Sequence, residues 1–127
     1  MRYLLDTHIL IWAAGDIGFL PGTVRAIIED TGNELLFSPA SIWETAIKNA
    51  KGRSDFRADP RVLSSRLLES GYVELAISSA HAIAIAALPP IHKDPFDRIL
   101  VAQALEEDVP LITVDRMVLQ YPGLKAF

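Results

Sequence analysis

Acidic residues stand at four places in the chain where their type and spacing suit chemistry. Asp6 closes the apolar run Tyr3-Leu4-Leu5, and Asp115 closes Ile112-Thr113-Val114. Glu44 lies within SIWETAIK, and Asp94 and Asp97 stand in HKDPFDRILVAQA, at the head of an apolar segment. Four of these carboxylates, Asp6, Glu44, Asp97 and Asp115, are candidates to converge. Uncompensated, such a cluster repels itself and raises its own pKa values. Hard divalent cations with oxygen ligands relieve that repulsion, and Mg²⁺ and Mn²⁺ are the natural candidates. Carboxylate-held ions of this kind engage phosphate. A pair of them activates a water and stabilises the leaving oxygen of a phosphodiester. That chemistry needs no cysteine or histidine nucleophile.

Each acid also has a plainer reading. Asp6 and Asp115 each suit the cap of a following helix. Two strand-like runs ending in Asp, at opposite ends of the chain, favour a shared site: adjacent parallel strands would bring both carboxylates to one edge of a sheet. Glu44 is about 100° from Trp43 on a helix, at the border of the expected buried face. It is equally placed for an exposed pair with Lys48 at i, i+4. Pro95 suits the first helical position, which makes Asp94 the N-cap and Asp97 the third residue of the helix. The helix dipole favours an acid there. Asp97 also leads the stripe Leu100, Val101, Ala104, so its side chain is aimed at the sheet. A buried charge on that line needs a partner or a metal. Thr7 and Thr113, each near an acid of the set, suit the orienting of a water or a carboxylate, or simple turn chemistry.

The elements that must position these groups follow from pattern. RYLLD, ELLFS, YVELAI and PLITVD read as strands, with LKAF as a short terminal one. THILIWAAG, PGTVRAIIEDTG, PASIWETAIKNAKG, the stretch from Asp59-Pro60 to Gly71, SSAHAIAIAAL and the DPFDR segment read as helices. In the third of these, Trp43, Ala46, Ile47 and Ala50 mark the expected apolar stripe. Strands alternating with helices imply an α/β domain with a mostly parallel sheet of about four to five strands and helices on both faces. Ligands of such sheets gather outside the carboxyl ends of the strands.

The totals set bounds. The 127 residues suit a single domain, 1–127, with a real core. No cysteine is present, which excludes disulfides and thiolate metal sites and fits a reducing cytoplasm. MRYLLDTH is a poor signal peptide, and runs such as ILIWAA fall far short of the roughly 20 residues a membrane span needs. A soluble, cytoplasmic protein is expected, with no membrane partner. The net charge of −4 argues against a general nucleic-acid coat protein. With the four candidate acids set aside, acids and bases are equal at 12 each, so the acidic excess is the size of the proposed site.

With these residues placed, the sequence resembles the PIN domains of VapC-type toxins from toxin–antitoxin pairs. LLDTH, SIWETAIK, HKDPFDRILVAQA and LITVD carry the resemblance in that order, across nearly the whole chain, and the likeness is to the group with a D-P-F-D-R motif. The resemblance implies a three-layer α/β/α fold and a Mg²⁺- or Mn²⁺-dependent ribonuclease. It also implies a homodimer that a small antitoxin inhibits. Position by position, it makes Asp6, Glu44, Asp97 and Asp115 the catalytic, metal-binding acids, with Asp94 as the extra acid of that group. Basic residues near the acids are candidate contacts to an RNA backbone: Lys48, Lys51 and Arg53 beyond Glu44, Lys93 and Arg98 beside the aspartates, and Arg116 after Asp115. Ordinary surface charge is the alternative for each. Of the three histidines, His92 is best placed, although a loop histidine before a helix needs no function.

Two other classes compete. A phospho-receiver would need an acid pair near the first strand and an Asp after a middle strand, and ELLFSPAS and YVELAISS carry none. A scaffold that binds RNA or protein without cutting would not need four intact acids.

Overall fold

The computed structural model describes residues 1–50 and 59–126. Its sheet is built on the alternation of apolar side chains along two short strands, β1 (Arg2–Leu5) and β2 (Glu34–Phe37). Tyr3, Leu5, Leu35 and Phe37 pack on one face, whereas Leu4 and Leu36 pack on the other. Both faces are therefore covered, as an all-parallel sheet requires. β3 (Val73–Glu74) and β4 (Leu111–Ile112) complete a four-stranded parallel sheet in the order β3-β2-β1-β4.

Helices α1 (Thr7–Ala14), α2 (Gly22–Glu29) and α4 (Pro60–Glu69) send Ile9, Leu10, Val24, Leu63 and Leu67 into the first layer. On the opposite face, α6 (Pro95–Glu107) packs Leu100, Val101 and Ala104 against Leu4, Leu36 and Leu111. Helix α3 (Pro39–Ala50) contacts α1, α4 and α6, and α5 (Ser79–Ala84) lies along α6. The result is the expected α/β/α arrangement of helices on both faces of a parallel sheet. Among the described residues no helix is long and apolar enough to cross a membrane.

Several elements are shorter than the pattern suggested. YVELAI pairs only at Val73 and Glu74 on the sheet edge, and Gln103 Nε2 donates to Leu75 O at 3.0 Å, just past the strand's end. SSAHAIAIAAL forms α5 and then a 3₁₀ turn, Ile85–Ala87, before Leu88 goes extended ahead of Pro89. LKAF makes one parallel bridge, Leu111 to Ala126, and not a strand.

The stripe on α3 needs correction. The buried residues are Ala40, Ser41, Glu44 and Thr45, while Trp43 is 61% exposed and meets Phe96 edge-on. Polar groups occupy the inward face, so hydropathy periodicity pointed to the wrong side.

Candidate metal centre

Pairing of β1 with β4 sets the site. Leu5 stands opposite Ile112 in parallel register, and the Asp6 N–H donates to Ile112 O at 3.0 Å. Asp6 and Thr113 therefore emerge side by side at the carboxyl edge of the sheet. Asp6 is the N-cap of α1, with Oδ1 accepting from the Thr7 N–H at 2.6 Å. Its Oδ2 accepts from Thr113 Oγ1 at 2.7 Å, and that same hydroxyl accepts from the Asp115 N–H at 3.0 Å. One threonine thus links Asp6, just past the first strand, to Asp115, three residues past the last, so its hydroxyl orients a carboxylate. Thr7 Oγ1 instead donates to Ser41 Oγ at 2.9 Å, tying α1 to α3. Asp115 also closes its own turn, accepting from the Met117 N–H at 2.8 Å.

On α3, the plain and the functional readings of Glu44 coexist. Lys48 Nζ lies 2.8 Å from Glu44 Oε2, yet Glu44 is only 3% exposed. Its other oxygen, Oε1, is buried with no hydrogen-bond donor among the described residues. An orphaned buried acceptor costs about 1–3 kcal/mol, and more when charged.

At the head of α6 the two aspartates divide as expected. Asp94 Oδ1 caps the helix, accepting from the N–H groups of Phe96 at 2.9 Å and Asp97 at 3.3 Å. Asp97 is buried on the line of Leu100, Val101 and Ala104. Burial pushes its carboxyl up to about 8, helped by the charges of Asp6, Asp94, Asp115 and Glu44. Burial also raises Asp6, although its bonds to Thr113 and Thr7 pull the other way. These mutual effects place the four sequence-nominated acids in one electrostatic neighbourhood.

The site contains a residue whose role the sequence left open. His92 Nε2 is 3.2 Å from Asp97 Oδ2, and His92 Nδ1 is 2.8 Å from Tyr121 Oη. Ligand atoms of His92, Asp97 and Asp115 all lie within 4.8 Å of one another, and Asp6, Glu44 and Asp94 are not in that group. The signal for His92 was its place two residues before the cap. Tyr121 gave none, because its contact spans 29 residues.

Oxygen-rich donors, a buried carboxylate oxygen lacking a donor among the described residues, and an acid driven toward its neutral form all fit a hard divalent cation. Such a charge beside Asp97 would oppose the upward shift of its carboxyl.

The basic candidates separate. Lys93 and Arg116 are exposed beside the acids. Lys48 pairs with Glu44, and Lys51 and Arg53 fall outside the described residues. Arg98, expected near RNA, is turned inward. Its Nη1 donates to Pro89 O at 3.0 Å and Tyr121 Oη at 3.1 Å, and its Nη2 to Ile85 O and Leu88 O at 3.4 Å each. These carbonyls belong to the end of the 3₁₀ turn and its exit. His81 is structural, joining α5 to α6 through Glu107.

The sequence model of the PIN domain matches residues 3–124, and the chain belongs to that family. No curated protein matches it significantly. Among solved structures, it is similar to VapBC2 from Rickettsia felis bound to a DNA fragment from their promoter. That likeness has 16% identity and a TM-score of 0.71, covering 100% of this chain and 98% of the other. DNA-bound VapBC from Salmonella typhimurium is also similar, at 17% identity and TM-score 0.71, covering 100% and 97%. A toxin–antitoxin complex from Klebsiella pneumoniae is similar at 22% identity and TM-score 0.62, covering 96% and 94%.

Proposed function

We propose that this PIN-domain chain is a divalent-metal-dependent endoribonuclease, the VapC-type toxin of a pair that a cognate antitoxin neutralises. The observation that carries the reading is the pooling of acids at the carboxyl edge of the sheet, with Glu44 Oε1 left without a donor among the described residues and Asp97 pushed up to about 8. Carboxylates cluster at that cost when a cation belongs among them. The neighbours in fold include a toxin–antitoxin complex, which supports the biological setting and an antitoxin partner.

Asp6, Glu44, Asp97 and Asp115 would hold Mg²⁺ or Mn²⁺, and Asp94 acts as the cap of α6. When bound, such an ion supplies Lewis acidity to a phosphodiester and generates the nucleophile at neutral pH. Thr113 fixes the Asp6 carboxylate, and Thr7 fixes α1 against α3. Lys93 and Arg116, with Arg53, contact the RNA backbone. We read 1–127 as one such domain, acting as a homodimer in the cytoplasm.

The test is cleavage of single-stranded RNA by the purified protein. The reading expects cleavage with Mg²⁺ or Mn²⁺, none in excess chelator, and none by Asp6→Asn with an unchanged circular dichroism spectrum. Full activity of the folded Asp6→Asn protein would contradict it. Mn²⁺ binding without cleavage of any RNA would favour the scaffold.

A further inference from the structure

A directed chain of hydrogen bonds runs from Arg98 to Asp97. A guanidinium only donates. The Arg98 group is held by Pro89 O, Ile85 O and Leu88 O, none of which has a proton to offer. Tyr121 Oη, 3.1 Å from Arg98 Nη1, is therefore an acceptor there. Its own proton has an acceptor in His92 Nδ1, 2.8 Å away. A neutral imidazole that accepts at Nδ1 carries its proton on Nε2. That nitrogen stands 3.2 Å from Asp97 Oδ2. Every link then has one donor and one acceptor, in one direction.

The opposite tautomer breaks this order. Tyr121 Oη would receive two donors, and the Nε2 lone pair would face the lone pairs of the Asp97 oxygen. A proton or cation between them would be needed, which would make His92 a metal ligand beside Asp97 and Asp115.

We infer that Arg98, Tyr121 and His92 are positioning residues that fix an Nε2–H tautomer on His92, so that His92 donates to Asp97 Oδ2 and leaves Oδ1 for the metal. Asp97 Oδ1 takes no hydrogen bond among the described residues, so the chain sets the carboxylate's rotation without consuming both oxygens. Outer partners of this kind change metal affinity or rate by about 10- to 100-fold. The inference deepens the nuclease reading and rests on it for its effect on rate, whereas the tautomer does not depend on cleavage.

The experiment is a long-range ¹H–¹⁵N correlation of the histidine rings in full-length, metal-free protein at pH 9, above the value to which burial pushes Asp97. The expected result is His92 as the Nε2–H tautomer, retained when Mg²⁺ is added. An Nδ1–H tautomer, or loss of the Nε2 proton on adding Mg²⁺, would overturn the inference. Tyr121→Phe should mix the tautomers and lower kcat about tenfold with KM little changed. Gln offers an amide N–H near the Nε2 position, so His92→Gln should keep most of the rate that His92→Ala loses. Equal rates for these two variants would also overturn it. If the wild-type protein cuts no RNA under any metal, the nuclease reading falls, and the ring spectrum still decides the tautomer.

Discussion

Helix α6 carries a histidine–carboxylate pair at each end, and the two pairs differ in what surrounds them. At its C-terminal end, His81 Nε2 meets Glu107 Oε2 at 2.8 Å, while His81 Nδ1 accepts from the Ser78 N–H at 2.9 Å. That arrangement completes the N-terminal cap of α5 and fastens it to α6, with Glu107 half-buried. At the N-terminal end, His92 meets Asp97 in the same sense, but Asp97 is buried among Asp6, Asp94, Asp115 and Glu44. The first pair is a staple. The second stands in a concentration of acids that, with burial, raises the carboxyls of Asp97 and Asp6. Similar local chemistry thus serves a joint at one end of α6 and a candidate metal centre at the other.

The largest expected effect is at the N-terminal end. Asp97→Asn should lower RNA cleavage about 100- to 1,000-fold, because part of the metal's several kcal/mol of transition-state stabilisation is lost. Glu107→Gln should leave the rate within about twofold, since it removes only a partly exposed pair. Equal losses in a cleavage assay would erase the distinction.

The pH dependence of stability should follow Asp97. In the unfolded chain it releases its proton near the ordinary value of 3.8, whereas the folded, metal-free site holds that proton up to about 8. Between those values the unfolded state binds fewer protons, so stability falls as pH rises. Thermal melts of metal-free protein should therefore decline from about pH 4 to about pH 8, and Asp6, also raised, adds the same sign. Asp97→Asn should flatten the decline. Glu107→Gln should not.

His81→Ala should destabilise the fold by about 1–3 kcal/mol, through the lost imidazole half of the α5 capping box and the lost tie from a buried side chain to Glu107, with kcat unchanged. Denaturant titration checks it. Thr113→Val removes the hydroxyl between Asp6 and Asp115 and should weaken Mn²⁺ binding by about tenfold.

Legibility in the sequence followed the range of the interactions. Strand propensity followed by Asp marked Asp6 and Asp115, and parallel pairing of β1 with β4 then brought them together. The stripe of α6 revealed the inward aim of Asp97, because its neighbours at i+3, i+4 and i+7 are apolar. On α3 the same method failed. The inward face is Ser41, Glu44 and Thr45, held by Thr7 Oγ1 and by a bond from Thr45 Oγ1 to Ser41 O, and hydropathy cannot see polar groups buried for their partners. Arg98 looked like a phosphate contact because charge alone does not show direction. Its acceptors, the carbonyls at the end of a 3₁₀ turn and Tyr121, exist only in the folded chain.

The central claim is that the acids at the carboxyl edge of the sheet share a divalent cation, and calorimetric titration with Mn²⁺ at pH 7 tests it most directly. Burial pushes the Asp97 carboxyl up to about 8 in the metal-free site, so binding at pH 7 should release a proton. The observed enthalpy should change between buffers of different ionisation enthalpy, and Asp97→Asn should abolish that dependence. Millimolar Mn²⁺ without binding, or binding that releases no proton, would contradict the account.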